Sequence, residues 1–231
     1  MLDKAFAALE TYDWGADPAV LKPIDDALAV SCCDALARRR LEERLVDTLG
    51  KCVSRDAKDY VCRKLKRVGT AISVPALEAL LPYPEFSHMA RYALETLPHP
   101  HAGRALRDAL PLLCGAQLAG VIGSLGVRGD EESVDAVAAF IDDADPVVAV
   151  AAVQTLGTIG GVQAARRLSA KQPVNAAARA AVADALLACA EKLLESGEKS
   201  EAASIYAQLS KGDQPKHVKL AATRGMLASR K

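Results

Sequence analysis

The stretch Gln117–Ala170, QLAGVIGSLGVRGDEESVDAVAAFIDDADPVVAVAAVQTLGTIGGVQAARRLSA, holds one sequence unit and most of a second. Leu125-Gly126 and Gly129 of the first unit correspond to Leu156-Gly157 and Gly160 of the second. Self-similarity at a fixed period marks a repeat architecture, in which one unit cannot bury its apolar side alone and must stack on its neighbours. Working outward, Leu65, Leu94, Leu125, Leu156 and Leu187 take equivalent places, and subtracting their positions gives spacings of 29, 31, 31 and 31 residues.

Between these leucines the chain reads as helices with marked ends. Ser54 caps a helix in which Ala57, Val61, Leu65 and Val68 fall on one stripe, and Gly69 ends it. Asp145-Pro146 is a second start signal, a capping carboxylate followed by proline in the first turn. The expected pairs are 54–69 with 74–81, 87–97 with 102–110, 116–125 with 132–141, and 145–159 with 162–169. Pro82 and Pro84 are read as stops, and the glycines Gly126, Gly129, Gly157 and Gly160 as helix ends. Trp14-Gly15 is expected to form a turn and Asp17-Pro18 a helix start.

Composition favours the same class. The chain of 231 residues is 51% hydrophobic but only 4% aromatic, so its core must be built from Ala, Leu and Val, which suit close-packed helices. The expected fold is all-α, a right-handed α-solenoid of about six helical hairpins. Residues 1–53 are divergent helices capping the array, 54–170 the repeats, and 171–231 longer degenerate ones, in one continuous domain. Net charge is +0, which disfavours nucleic-acid binding by bulk electrostatics. No apolar run reaches the ~18 residues of a membrane span, so no membrane role is expected. The N-terminus lacks the apolar region of a secretory signal. The six cysteines, Cys32, Cys33, Cys52, Cys62, Cys114 and Cys189, form no C-x-x-C and read as buried reduced thiols on helices, hence a cytoplasmic and by default bacterial protein.

Asp145-Pro146, Val148, Ala152, Leu156-Gly157 and Ile159-Gly160 resemble HEAT-like repeats of the short bacterial type named after phycobilisome lyases, whose pattern runs D-P-x-V-R-x-x-A-A-x-x-L-G-x-I-G. Val153 replaces the second alanine of that pattern and Ala149 its arginine, while Leu118 holds the position 31 residues earlier, so the family's basic ladder is missing here. The resemblance implies fold more than function. The helix carrying Leu-Gly lines the concave side in such repeats, which would place Arg63, Arg67 and Arg91 on or near one inner surface.

Known chemistries of this architecture leave little trace. Hydroxylases of deoxyhypusine carry His-Glu dipeptides as iron ligands, and this chain has none. His99-Pro100-His101 reads as a solvent-exposed loop pair. Motifs for phosphate loops, nucleophile elbows and zinc hydrolases are absent, and Trp14, the only tryptophan, lies outside the repeats. No cofactor, metal or catalytic residue is assigned. Arg63, Arg67 and Arg91 are the candidate partner-binding residues, within a basic block of Arg55, Lys58, Arg63, Lys64, Lys66 and Arg67. The expected function is a non-catalytic scaffold or protein-interaction module with an unidentified protein partner. The alternatives are an auxiliary domain of a larger bacterial enzyme, and a nucleic-acid binder using the basic block. The last helix, Lys216 to Leu227, is expected to present Val218, Ala222, Met226 and Leu227 for self-association, or to mark the chain as part of a longer array.

Overall fold

The computed structural model describes residues 1–211 and 214–229, so the outermost residues of the expected 171–231 segment, and two within it, lie outside the described residues. Fourteen α-helices make up the described chain, which contains no strand and is 78% helical. It is an all-α helical-repeat fold. Contacts divide the chain into two compact units, Met1–Leu113 and Cys114–Lys231.

The first unit holds α1 (Leu2–Glu10), α2 (Lys22–Val30), α3 (Ala35–Leu49), α4 (Arg55–Val68), α5 (Val74–Glu78), α6 (Pro84–Leu94) and α7 (Pro100–Ala109). Helix α4 is its centre, packed on α3 and α6, while α5 packs on α7 in a second layer. The stripe Ala57, Val61, Leu65 and Val68 is buried as the periodicity requires. Pro84 opens α6 and does not stop the helix before it, because the amide that proline lacks is unneeded in a first turn.

Helix α3 is fastened to this layer by polar groups that look like surface charge in the sequence. Arg38 Nε donates to the Val68 carbonyl at 2.9 Å, satisfying the end of α4. One turn later Glu42 is fully buried. Its carboxylate accepts from the Thr70 amide at 2.6 Å, from the Thr70 hydroxyl at 3.0 Å and from the Ser73 hydroxyl at 2.6 Å. The α4–α5 turn is thus built around a carboxylate supplied by α3.

The second unit holds α8 (Gly115–Arg128), α9 (Val134–Ala138), α10 (Pro146–Ile159), α11 (Gly161–Ala170), α12 (Ala176–Glu195), α13 (Lys199–Lys211) and α14 (Lys216–Ala228). Helices α8, α10 and α12 pack in succession, with α9 on α11 beside them. Leu125 and Leu156 are both fully buried, the equivalence expected of them. Asp145 caps α10 by accepting from the Val147 amide at 2.8 Å.

Three readings of this unit change. Gly129 and Gly160 do end helices, but Gly126 and Gly157 lie inside α8 and α10 at points of close approach. A Cβ on Gly157 would stand 2.8 Å from the Ala185 Cα of α12, and one on Gly126 would stand 3.2 Å from Thr155 Cγ2 of α10. These two contacts make Thr155 and Ala185 equivalent, so Leu156 corresponds to Leu186 and not to Leu187. Leu186 is buried and Leu187 only half-buried, which agrees. Likewise Val218 and Ala222 of α14 face inward, against α13 and α12, while Leu220 and Leu227 are exposed.

The cysteine expectation holds for two residues. Cys62 and Cys189 are buried, whereas Cys32, Cys33, Cys52 and Cys114 are exposed, and Cys32-Cys33 lies in the turn between α2 and α3.

Candidate functional site

A cleft of about 560 Å³ opens in the first unit between the loop after α1 and the outer side of α4. The loop contributes Tyr12, Asp13 and Trp14, and α4 contributes Asp56, Asp59, Tyr60 and Arg63. The α4 residues follow one another at i, i+3, i+4 and i+7, so they form a single stripe opposite the buried one.

Local chemistry fixes both walls. The Ser54 hydroxyl accepts from the Ala57 amide at 3.0 Å, capping α4, and donates to the Tyr12 carbonyl at 2.5 Å. One side chain therefore starts the helix and anchors the loop. Beyond Tyr12 the chain reverses, with the Ala16 amide donating to the Asp13 carbonyl at 3.0 Å and Gly15 at φ +84°. That left-handed position suits glycine and leaves Trp14 held out, 92% exposed. The Asp13 carboxylate accepts from the Trp14 amide at 2.9 Å. Asp56 sits in the first turn of α4, where the helix dipole favours negative charge.

Tyr60 is held by its hydroxyl, 3.0 Å from Asp25 Oδ1 and 3.3 Å from the Leu21 carbonyl. Burial, then the neighbouring Asp25 carboxylate, push this phenol's pKa well above its ordinary value, so it stays protonated. Lys64 pairs with Asp25 at 2.6 Å and lies 4.3 Å from the centre of the Tyr60 ring.

Three carboxylates, Asp13, Asp56 and Asp59, thus share the cleft with one guanidinium, Arg63. Arg63 Nε donates to Asp59 Oδ2 at 2.8 Å, an exposed pair. Elsewhere the chain stacks its cations on rings: Arg44 on Phe6, Lys58 on Phe86 and Lys66 on Tyr92. Among the described residues, no such cation covers Tyr12 or Trp14.

The three expected binding arginines are therefore placed differently from one another. Arg63 lines the cleft, and Arg67 is exposed one turn further along the same side of α4. Arg91, on α6, is half-buried, and burial pushes its pKa below the ordinary value against the opposing pull of Glu95. The basic block is largely consumed internally, through Arg55–Asp56, Arg63–Asp59 and Lys64–Asp25 pairs and the ring contacts of Lys58 and Lys66. Tyr12, Trp14, Asp56, Asp59 and Tyr60 were not among the residues marked by sequence. The i, i+3, i+4, i+7 stripe was available there, but nothing local joins it to a loop some forty positions earlier.

Other features resolve into structure. His99 caps α7, its Nδ1 accepting from the His101 amide at 3.2 Å, and the two rings meet edge to face. No group of three or more His, Cys, Asp or Glu positioned for a metal occurs among the described residues. Within the same unit a larger cleft of about 800 Å³ has a floor including Leu2, Ala27, Val30 and Leu41. Of its charged lining residues, Asp26 pairs with Lys22, Glu43 with Arg39 and Arg44 with Asp3. No helix among the described residues is long and apolar enough to cross a membrane.

Comparison with solved structures returns an engineered protein, 14% identical over 90% of this chain and 96% of that one, with a TM-score of 0.41. It also returns human deoxyhypusine hydroxylase in complex with glycerol, 14% identical over 99% of this chain and 96% of that one, with a TM-score of 0.38. No protein-family description and no curated protein sequence matches the chain. The expectation of a non-catalytic scaffold or protein-interaction module is corrected at this point. The hydroxylase is by its name an enzyme, and a fold class by itself does not decide between scaffold and catalyst.

Proposed function

We propose that the Tyr12–Trp14–Asp56–Asp59 cleft binds a small organic cation of the alkylammonium type. The observation that carries this reading is the placing of the sole tryptophan, held in solvent by a glycine turn, on a cleft walled by carboxylates. Aromatic faces attract ammonium groups through the ring quadrupole, and tryptophan does so best. The carboxylates add long-range attraction and select sign. Exposed rings contribute about 0.5–1 kcal/mol each and exposed ion pairs about 0.2–1 kcal/mol. A site with two uncovered rings and three acids therefore corresponds to a dissociation constant on the order of millimolar. The supporting scaffold is read as a HEAT-like array of the short bacterial type, on the Asp145-Pro146 to Gly160 pattern. Free exposed thiols at Cys32, Cys33, Cys52 and Cys114 suit a reducing cytoplasm.

Because Trp14 is the only tryptophan, its fluorescence reports the site directly. Titration with tetramethylammonium is expected to give a saturable change that sodium chloride at matched ionic strength does not reproduce. Tyr12→Ala and Asp56→Asn should each weaken it about two- to fivefold. A wild-type titration without saturation, or one unaffected by both substitutions, refutes the assignment.

A further inference from the structure

We infer that the ligand of this cleft is a zwitterion, its ammonium on the Tyr12–Trp14 side and its anionic group on Arg63; this rests on the cation-binding reading above. Arg63 is the one cationic lining residue in a cleft that otherwise carries three carboxylates. Its Nε is engaged by Asp59 at 2.8 Å, which orients the guanidinium plane. A guanidinium has five N–H donors in a fixed fork, and only the one on Nε is used here. The two terminal nitrogens together match a carboxylate bidentately. Asp59 does two things at once: it adds to the negative field on the cation side, and it holds Arg63 as an anion receptor.

Arg67 strengthens the anionic end. It stands four residues further along α4, on the same exposed side as Arg63 and further from Asp56. Charge along the outer stripe of α4 therefore runs from acidic at the capped end, Asp56 and Asp59, to basic at Arg63 and Arg67. Helix-end electrostatics favour this order, with Asp56 in the first turn and Arg67 in the last. The loop is anchored at that acidic end, since Ser54 ties the Tyr12 carbonyl to the start of the helix. A ligand seated on the rings thus meets Arg63 in the direction away from the cap. A simple cation would leave the terminal nitrogens of that guanidinium without an acceptor, and a simple anion would face Asp13 and Asp56. Only a molecule carrying both signs answers the whole wall.

The test compares trimethylammonio-carboxylates, with one to five methylenes between the charges, against their own methyl esters. The ester keeps the ammonium and removes the negative charge. At least one acid is expected to bind about tenfold more tightly than its ester by Trp14 fluorescence. Arg63→Ala should erase that preference while leaving the ester's affinity equal or higher, because Asp59 is then released to the cation. Arg63→Lys should retain part of it, since charge survives while the bidentate fork is lost. The inference is overturned if no acid exceeds its ester, or if the preference persists in Arg63→Ala. Esters binding as well as the acids would overturn the zwitterion alone, whereas absence of binding by either would overturn the cation site as well.

Discussion

Glu42→Ala should be among the most destabilising substitutions in the first unit. The carboxylate is fully buried and serves as acceptor for the Thr70 amide, the Thr70 hydroxyl and the Ser73 hydroxyl. Ser73 is itself fully buried, so its hydroxyl has no recourse to water once the acceptor is gone. An orphaned buried donor costs about 1–3 kcal/mol, in full at Ser73 and in part at the half-buried Thr70 amide. The excised methylenes add a smaller packing loss, for a total of about 3–5 kcal/mol. That is a large part of the ~5–15 kcal/mol by which domains are stable. Glu42→Gln retains the shape and one acceptor oxygen but brings an NH₂ facing donors, and should cost about 1–2 kcal/mol. Urea unfolding followed by circular dichroism measures both. If Glu42→Ala loses less than about 1 kcal/mol, the carboxylate is not what builds the α4–α5 turn. The reasoning also fails if Gln costs as much as Ala, because position and shape would then be irrelevant.

Further outcomes follow from packing and from the thiols. Gly157→Ala places a Cβ 2.8 Å from the Ala185 Cα, which only a shift of α10 against α12 relieves, so a loss of about 1–3 kcal/mol is expected. Gly123→Ala, in α8 with nothing within 4 Å of the new Cβ, should instead gain up to about 1 kcal/mol of helix propensity; thermal unfolding of the pair checks the opposite signs. At neutral pH a disulfide reagent should react promptly with Cys32, Cys33, Cys52 and Cys114, and with Cys62 and Cys189 only after unfolding, as mass spectrometry of labelled peptides will show. Burial raises the Cys62 thiol to about 12 and the Cys189 thiol to about 11, from an ordinary 9.0. The folded state therefore binds more protons than the unfolded one above pH 9.0, and these two groups make stability fall as pH rises towards 11–12. Replacing both by Ala should flatten that fall in urea midpoints taken from pH 8 upward.

How much of the fold could be read beforehand follows from which interactions are local. The stripe on α4, the Ser54 and Asp145 caps and the burial of Leu125 and Leu156 were all legible, because periodicity and capping act within a few residues. Pro84 reads as a stop in the sequence because a proline just after one helix and one in the first turn of the next look alike until the turn is built. Gly126 and Gly157 were read as stops, but their neighbours Thr155 and Ala185 belong to the next repeat, and no local pattern contains them. The shift from Leu187 to Leu186 has the same origin: a fixed period cannot register a one-residue change in how α12 packs on α10.

The sequence by itself determined a helical repeat with a core of small aliphatic residues, since helix propensity, caps and a 31-residue period are properties of neighbours along the chain. Tertiary structure decided what the charged and aromatic residues do. It turned Glu42 from apparent surface charge into a buried acceptor, withdrew Arg91 into the packing, and spent most of the basic block on internal partners. It also brought Trp14, which no repeat claims, onto the outer face of α4 through the bond from Ser54 to Tyr12. Apart from the local Arg55–Asp56 and Arg63–Asp59 pairs, these pairings join residues far apart in the sequence, and a side chain's electrostatic role is set by what packs beside it in space.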